Sequence, residues 1–135
     1  MRLSRRTFLL ALAGAVPAAA AGALWSRRDA DKPRADTFAG RATSFVDDLD
    51  AARRLGRTYL DEHPDEADEA RLQRLLLQSS PGWIRAQEAA VDPEVLRALA
   101  RREARRDYAA GRVVSVSGWY LSRTEARLAA LALYA

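Results

Sequence analysis

The only histidine of the chain stands inside its densest run of carboxylates, Asp61-Glu62-His63-Pro64-Asp65-Glu66-Ala67-Asp68-Glu69. Oxygen-rich clusters bind hard cations, and an imidazole among carboxylates suits a transition metal, which makes Asp61, His63 and Asp65 the candidate metal ligands. The spacing argues against them, because the run has neither a glycine-bearing calcium loop nor a second histidine. It offers no defined carboxylate pair for general acid/base work either. The run reads as a solvated turn between two helices, with acids gathered where a helix N-terminus favours negative charge.

Three further features bear on binding. The basic run Arg101-Arg102-Glu103-Ala104-Arg105-Arg106 suits anionic lipid heads or an acidic partner, but Glu103 and the following Asp107 interrupt it, and it reads first as a solvated helix face. Trp83, Trp119 and Tyr120 lie beside expected turns, where large aromatics either pin loops to a small core or anchor a partner. Arg127 is a candidate partner contact on the last helix. With Trp83, Trp119 and Tyr120 it makes up the candidate partner interface. Cysteine is absent, so thiolate-held iron-sulfur clusters and c-type haem lack ligands, and the sequence has no glycine-rich phosphate loop. No cofactor is expected on this chain and no catalytic residue is assigned.

The elements that would position these residues are helical. Leu49, Ala52, Leu55, Gly56, Tyr59 and Leu60 fall on one helical face behind Ser44 or Asp47 as N-cap, and that helix stops before His63-Pro64. Residues 65–77 make a second helix with Leu72, Leu75, Leu76 and Ser79 in period, closed by Ser79-Ser80-Pro81-Gly82. A short helical turn is expected at 83–89. Asp92-Pro93 then starts a third long helix, 93–110, capped by Gly111. Residues 112–116 are β-branched and extended, with no pairing strand expected. Ser122-Arg123-Thr124-Glu125 fits a capping box, and the last helix should run over 123–134 with Ala126, Leu128, Leu131 and Ala132 inward. The fold class is mostly α: a small bundle of three to five helices with a short extended segment before the last.

The N-terminus has a different organisation. A basic stretch (Arg2, Arg5, Arg6) precedes an uncharged Leu/Ala-rich stretch over 7–26, and then small residues that suit signal peptidase, the three-part order of an export signal. Ser4-Arg5-Arg6-Thr7-Phe8-Leu9-Leu10 closely resembles the twin-arginine (Tat) motif, departing only at Leu10, where lysine is common. The resemblance assigns Ser4, Arg5, Arg6, Phe8 and Leu9 as the signal motif and implies passage through the Tat translocase to the periplasm. Residues 7–26 are long enough to span a bilayer core of roughly 30 Å, so an uncleaved anchor facing the periplasm is the alternative. Pro17 and the weak hydrophobicity of alanine and glycine favour cleavage, at Ala19-Ala20-Ala21 or Ala21-Gly22-Ala23. The expected organisation is a signal peptide over 1–23, a polar linker over 24–41 and one helical domain over 42–135.

Removing the signal alters the charge. The chain has 22 basic and 18 acidic residues, and three of its arginines precede residue 24 while no acid does. The remainder is close to neutral, so the basic pI gives no reason to expect nucleic acid as a partner.

Residues 113–133, containing Gly118-Trp119-Tyr120-Leu121-Ser122-Arg123-Thr124-Glu125-Ala126-Arg127-Leu128, resemble the C-terminal part of a group of short Tat-exported bacterial proteins of unassigned activity. In plan, a twin-arginine leader before a short helical domain is also similar to the small Tat-signal subunits of periplasmic dehydrogenases, of the gluconate 2-dehydrogenase small-subunit type. That resemblance implies a non-catalytic accessory or escort subunit of a large exported oxidoreductase. A free-standing periplasmic module with a divalent cation in the acidic turn is the second expectation.

Overall fold

The Ser122 hydroxyl accepts the Glu125 N–H at 3.0 Å, and the Glu125 carboxylate accepts the Ser122 N–H at 2.8 Å. This is the expected capping box, and it opens the last helix. The computed structural model describes residues 34–135. In chain order its helices are α1 (Phe38–Ala42), α2 (Leu49–Glu62), α3 (Glu69–Ser79), α4 (Ile84–Glu88), α5 (Pro93–Ala109) and α6 (Arg123–Leu131). Single 3-10 turns sit at Pro64–Glu66, Pro81–Trp83 and Ala132–Tyr134, and strands β1 (Val113–Val116) and β2 (Trp119–Ser122) precede α6. The architecture is a mostly α small bundle, as the sequence implies; four of its helices have nine residues or more. The candidate signal residues Ser4, Arg5, Arg6, Phe8 and Leu9, and both cleavage sites, lie outside the described residues.

Helix α6 is buried on almost every side, through Thr124, Glu125, Ala126, Leu128, Ala129, Ala130 and Leu131. Its alanines allow α2 to come close, and the residue of α2 at the crossing is Gly56. A methyl group built on Gly56 would overlap the Ala129 carbonyl and stand 2.7 Å from Ala130 Cα. The apolar face expected of α2 does turn inward: Leu49, Ala52, Gly56, Tyr59 and Leu60 are buried. In α3, Leu72 and Leu76 are fully buried and Leu75 only half so. Asp48 and Asp68, one to three residues from the expected starts, supply the N-caps of α2 and α3, accepting from Ala51 N at 2.8 Å and Arg71 N at 2.9 Å. Asp92 caps α5 with Pro93 in its first turn, and Gly111, at φ 72°, follows the end of that helix.

Two sequence expectations change. Residues 112–116 do not extend alone: β1 pairs antiparallel with β2 in the register Val114 to Leu121 and Val116 to Trp119. Ser117 at φ 51° and Gly118 at φ 78° form the two-residue turn, whose consecutive positive φ values match the twist of a hairpin. Val114, Val116 and Leu121 face the core. The polar linker also ends earlier than residue 41, because Phe38, Ala39 and Ala42 of α1 are buried in the main core. Thr37 caps α1 through Gly40 N at 3.0 Å.

Arginine closes several backbone ends. Arg41 donates to Ala86 O at 2.6 Å and Gln87 O at 2.8 Å, fastening α1 to the last turn of α4. Arg53 of α2 reaches Ala132 O at 3.1 Å beyond α6, and Arg97 of α5 reaches Phe45 O at 2.9 Å. A five-donor guanidinium suits free helix-end carbonyls, and each bond ties two elements together.

Candidate functional site

The most densely connected polar cluster centres on Glu66. This residue belongs to the acidic run, but the 3-10 turn Pro64–Glu66 directs it inward, so that it is only 5% exposed while Asp61, Asp65 and Asp68 face solvent. Three groups converge on its carboxylate. The Tyr59 hydroxyl, from the inward face of α2, donates to Oε2 at 2.7 Å. Arg127 of α6 donates from Nε to Oε2 at 3.1 Å and from Nη2 to Oε1 at 2.9 Å, a two-pronged grip. Arg123, one turn earlier on α6, brings Nη1 to 4.0 Å from Oε1.

Burial alone would raise the Glu66 pKa, but the hydrogen bonds from Arg127 and Tyr59 outweigh it and hold the carboxyl below the ordinary 4.5. Tyr59 moves the other way. Burial, and then its bond to the Glu66 carboxylate, push its phenol up from 10.0 to about 12. The cluster therefore holds an ionised acid whose two oxygens are both engaged and a phenol that keeps its proton. A general base needs a free lone pair and a nucleophilic phenol needs a lowered pKa, and neither condition is met. The arrangement is a brace linking α2, the 3-10 turn and α6.

His63 completes this corner. Its ring stacks on Tyr59 with centroids 4.3 Å apart, and Nδ1 lies 3.0 Å from Tyr59 O. Asp61, His63 and Asp65 do not form a ligand cage. Among the described residues no group of three or more His, Asp or Glu side chains is placed to hold a metal ion.

A second cluster surrounds the start of α6. Asp107 of α5 accepts the Thr124 N–H at 2.8 Å on one oxygen and Arg112 Nε at 2.8 Å on the other. The Tyr108 hydroxyl lies 2.9 Å from Glu125 Oε2 and 3.2 Å from Tyr120 O. Glu103, also buried, receives Arg106 Nη1 at 3.2 Å and Arg102 Nε at 3.5 Å. The four buried carboxylates among the described residues, Glu66, Glu103, Asp107 and Glu125, are each engaged by donors of the same chain.

The proposed partner interface does not form one surface. Trp83 is fully buried, and its indole N–H has no acceptor among the described residues. Arg127 is held by Glu66. Trp119 is half-buried, and Tyr120 alone stands out, 75% exposed on the hairpin. Sequence reasoning placed Tyr59 inward but missed Glu66 as its partner. The available signal was Arg127 itself, a charge set among alanines and leucines in a helix with few solvent-facing positions. No helix among the described residues is long and apolar enough to cross a membrane. Compared with known protein families, with curated proteins and with solved structures, the chain matches none.

Proposed function

We propose that this chain is a Tat-exported periplasmic accessory or escort subunit, itself non-catalytic, that accompanies a large exported oxidoreductase. The observation that carries the proposal is the leader, Ser4-Arg5-Arg6-Thr7-Phe8-Leu9, followed by a weakly hydrophobic stretch and Ala-x-Ala sites. The Tat route takes cargo that is already folded, often cargo that assembles with a partner before crossing. The folded domain agrees with a binding role, since its buried carboxylates are bound to its own arginines, hydroxyls and backbone rather than left free for proton transfer.

Two measurements test the proposal. Replacing Arg5 and Arg6 by Lys should trap precursor in the cytoplasm, and export at the wild-type level would overturn the Tat assignment. Purification of the wild-type protein from a periplasmic extract should bring a large oxidoreductase subunit with it. A lone monomer would remove the escort reading while leaving the export reading intact.

A further inference from the structure

In the sequence, Glu103 and Asp107 interrupt the arginines of α5 and make the run look electrically mixed. The fold removes that interruption. Glu103 and Asp107 lie one turn apart on the inward face of the helix, 4% and 5% exposed, whereas Arg101, Arg102, Arg105 and Arg106 are all exposed. Over residues 101–106 the exposed side of α5 is thus arginine alone, in two columns, Arg101 over Arg105 and Arg102 over Arg106. Like charges at this spacing repel. The second column is relieved by Glu103, which both its arginines share. For Arg101 and Arg105 the described residues supply no counter-ion. The body as a whole has no such excess, since residues 34–135 contain as many carboxylates as arginines. Near the end of the helix Tyr108 ties the hairpin to α5 through Tyr120 O, and the Tyr120 side chain is exposed.

We infer that the exposed arginine face of α5 over residues 101–106, with Arg101 and Arg105 at its centre, docks an acidic segment of a partner protein. Guanidinium groups pair with carboxylates through two parallel hydrogen bonds, and arginine and tyrosine are over-represented among the residues that dominate protein interfaces. A membrane surface fits less well. The exposed large hydrophobics among the described residues are Ile84, Val95 and Tyr120, and none lies between Arg101 and Arg106 to enter a bilayer. This inference rests on the escort reading, for which it names the holding surface.

The probe is a fluorescently labelled hexaglutamate peptide, titrated with the purified full chain at low salt and followed by anisotropy. The double substitution Arg101→Glu with Arg105→Glu should weaken binding by about tenfold or more, and Arg101→Gln with Arg105→Gln should do so to a lesser degree. Arg71→Glu with Arg74→Glu changes the net charge equally on α3 and should leave binding within about twofold. Equal losses from both Glu pairs, or no binding by the wild type, would overturn the inference. So would capture by phosphatidylglycerol vesicles that needs Arg101 and Arg105 when the peptide does not bind. Self-association abolished by the same pair would assign the face to a second copy instead. A wild-type chain that binds the peptide but purifies without a partner would sink the escort reading alone.

Discussion

Arg127 and Glu66, sixty-one residues apart in the chain, meet in a two-pronged ion pair with N–O distances of 3.1 and 2.9 Å. The Tyr59 hydroxyl occupies the same carboxylate from the other side. The pair fixes the turn between α2 and α3 onto α6, and its consequences can be measured.

Removing one member leaves the other's charge buried without compensation, the costly case for an interior ion pair. Glu66→Leu alone should lower stability by about 3 kcal/mol in urea unfolding. Adding Arg127→Leu should restore most of that loss, because two apolar side chains of similar size leave no unpaired charge. A double variant as unstable as the single one would show that the pair does not act as a unit.

Glu66 titrates below 4.5 in the folded chain, so the stability it contributes is complete above that value and is lost as pH falls through the folded pKa. Tyr59 behaves in the opposite sense. Its folded value of about 12 exceeds the ordinary 10.0, so its contribution is complete below pH 10 and is lost as pH rises towards 12. Unfolding midpoints measured against pH should therefore fall on both limbs. Tyr59→Phe should flatten the alkaline limb, and an unchanged alkaline slope in that variant would count against the assignment.

Gly56 sets how closely α2 approaches α6. Gly56→Ala would normally favour a helix by close to 1 kcal/mol, but here the added methyl meets the backbone of Ala129 and Ala130, which cannot rotate away. The variant should be destabilised by roughly 3 kcal/mol in thermal or urea unfolding. A neutral or stabilising result would mean that the two helices have room to part.

What could be read from the sequence follows from the range of the interactions involved. Caps and periods are local, so Asp92-Pro93, the Ser122 to Glu125 box, Gly111 and the inward face of α2 were all legible. The hairpin was not. Its strands have four residues each, and Ser117 takes a positive φ that its side chain does not advertise. Phe38 looked like an isolated apolar residue in a polar linker, because what buries it is tertiary packing against the main core. The grip of Arg127 on Glu66 was hidden for the same reason, as was the inward turn of Glu103 and Asp107 that leaves only arginines exposed over residues 101–106 of α5. Position in a run says nothing of which way a side chain faces until the neighbouring helix is in place.

The central place of α6 also governs when the fold can close. It is the last helix of the bundle to leave the ribosome, and α2 and α5 emerge before it with their apolar stripes uncovered. The core lined by α6 can therefore close only once the residues of that helix, which follow α2 and α5 in the chain, are in place.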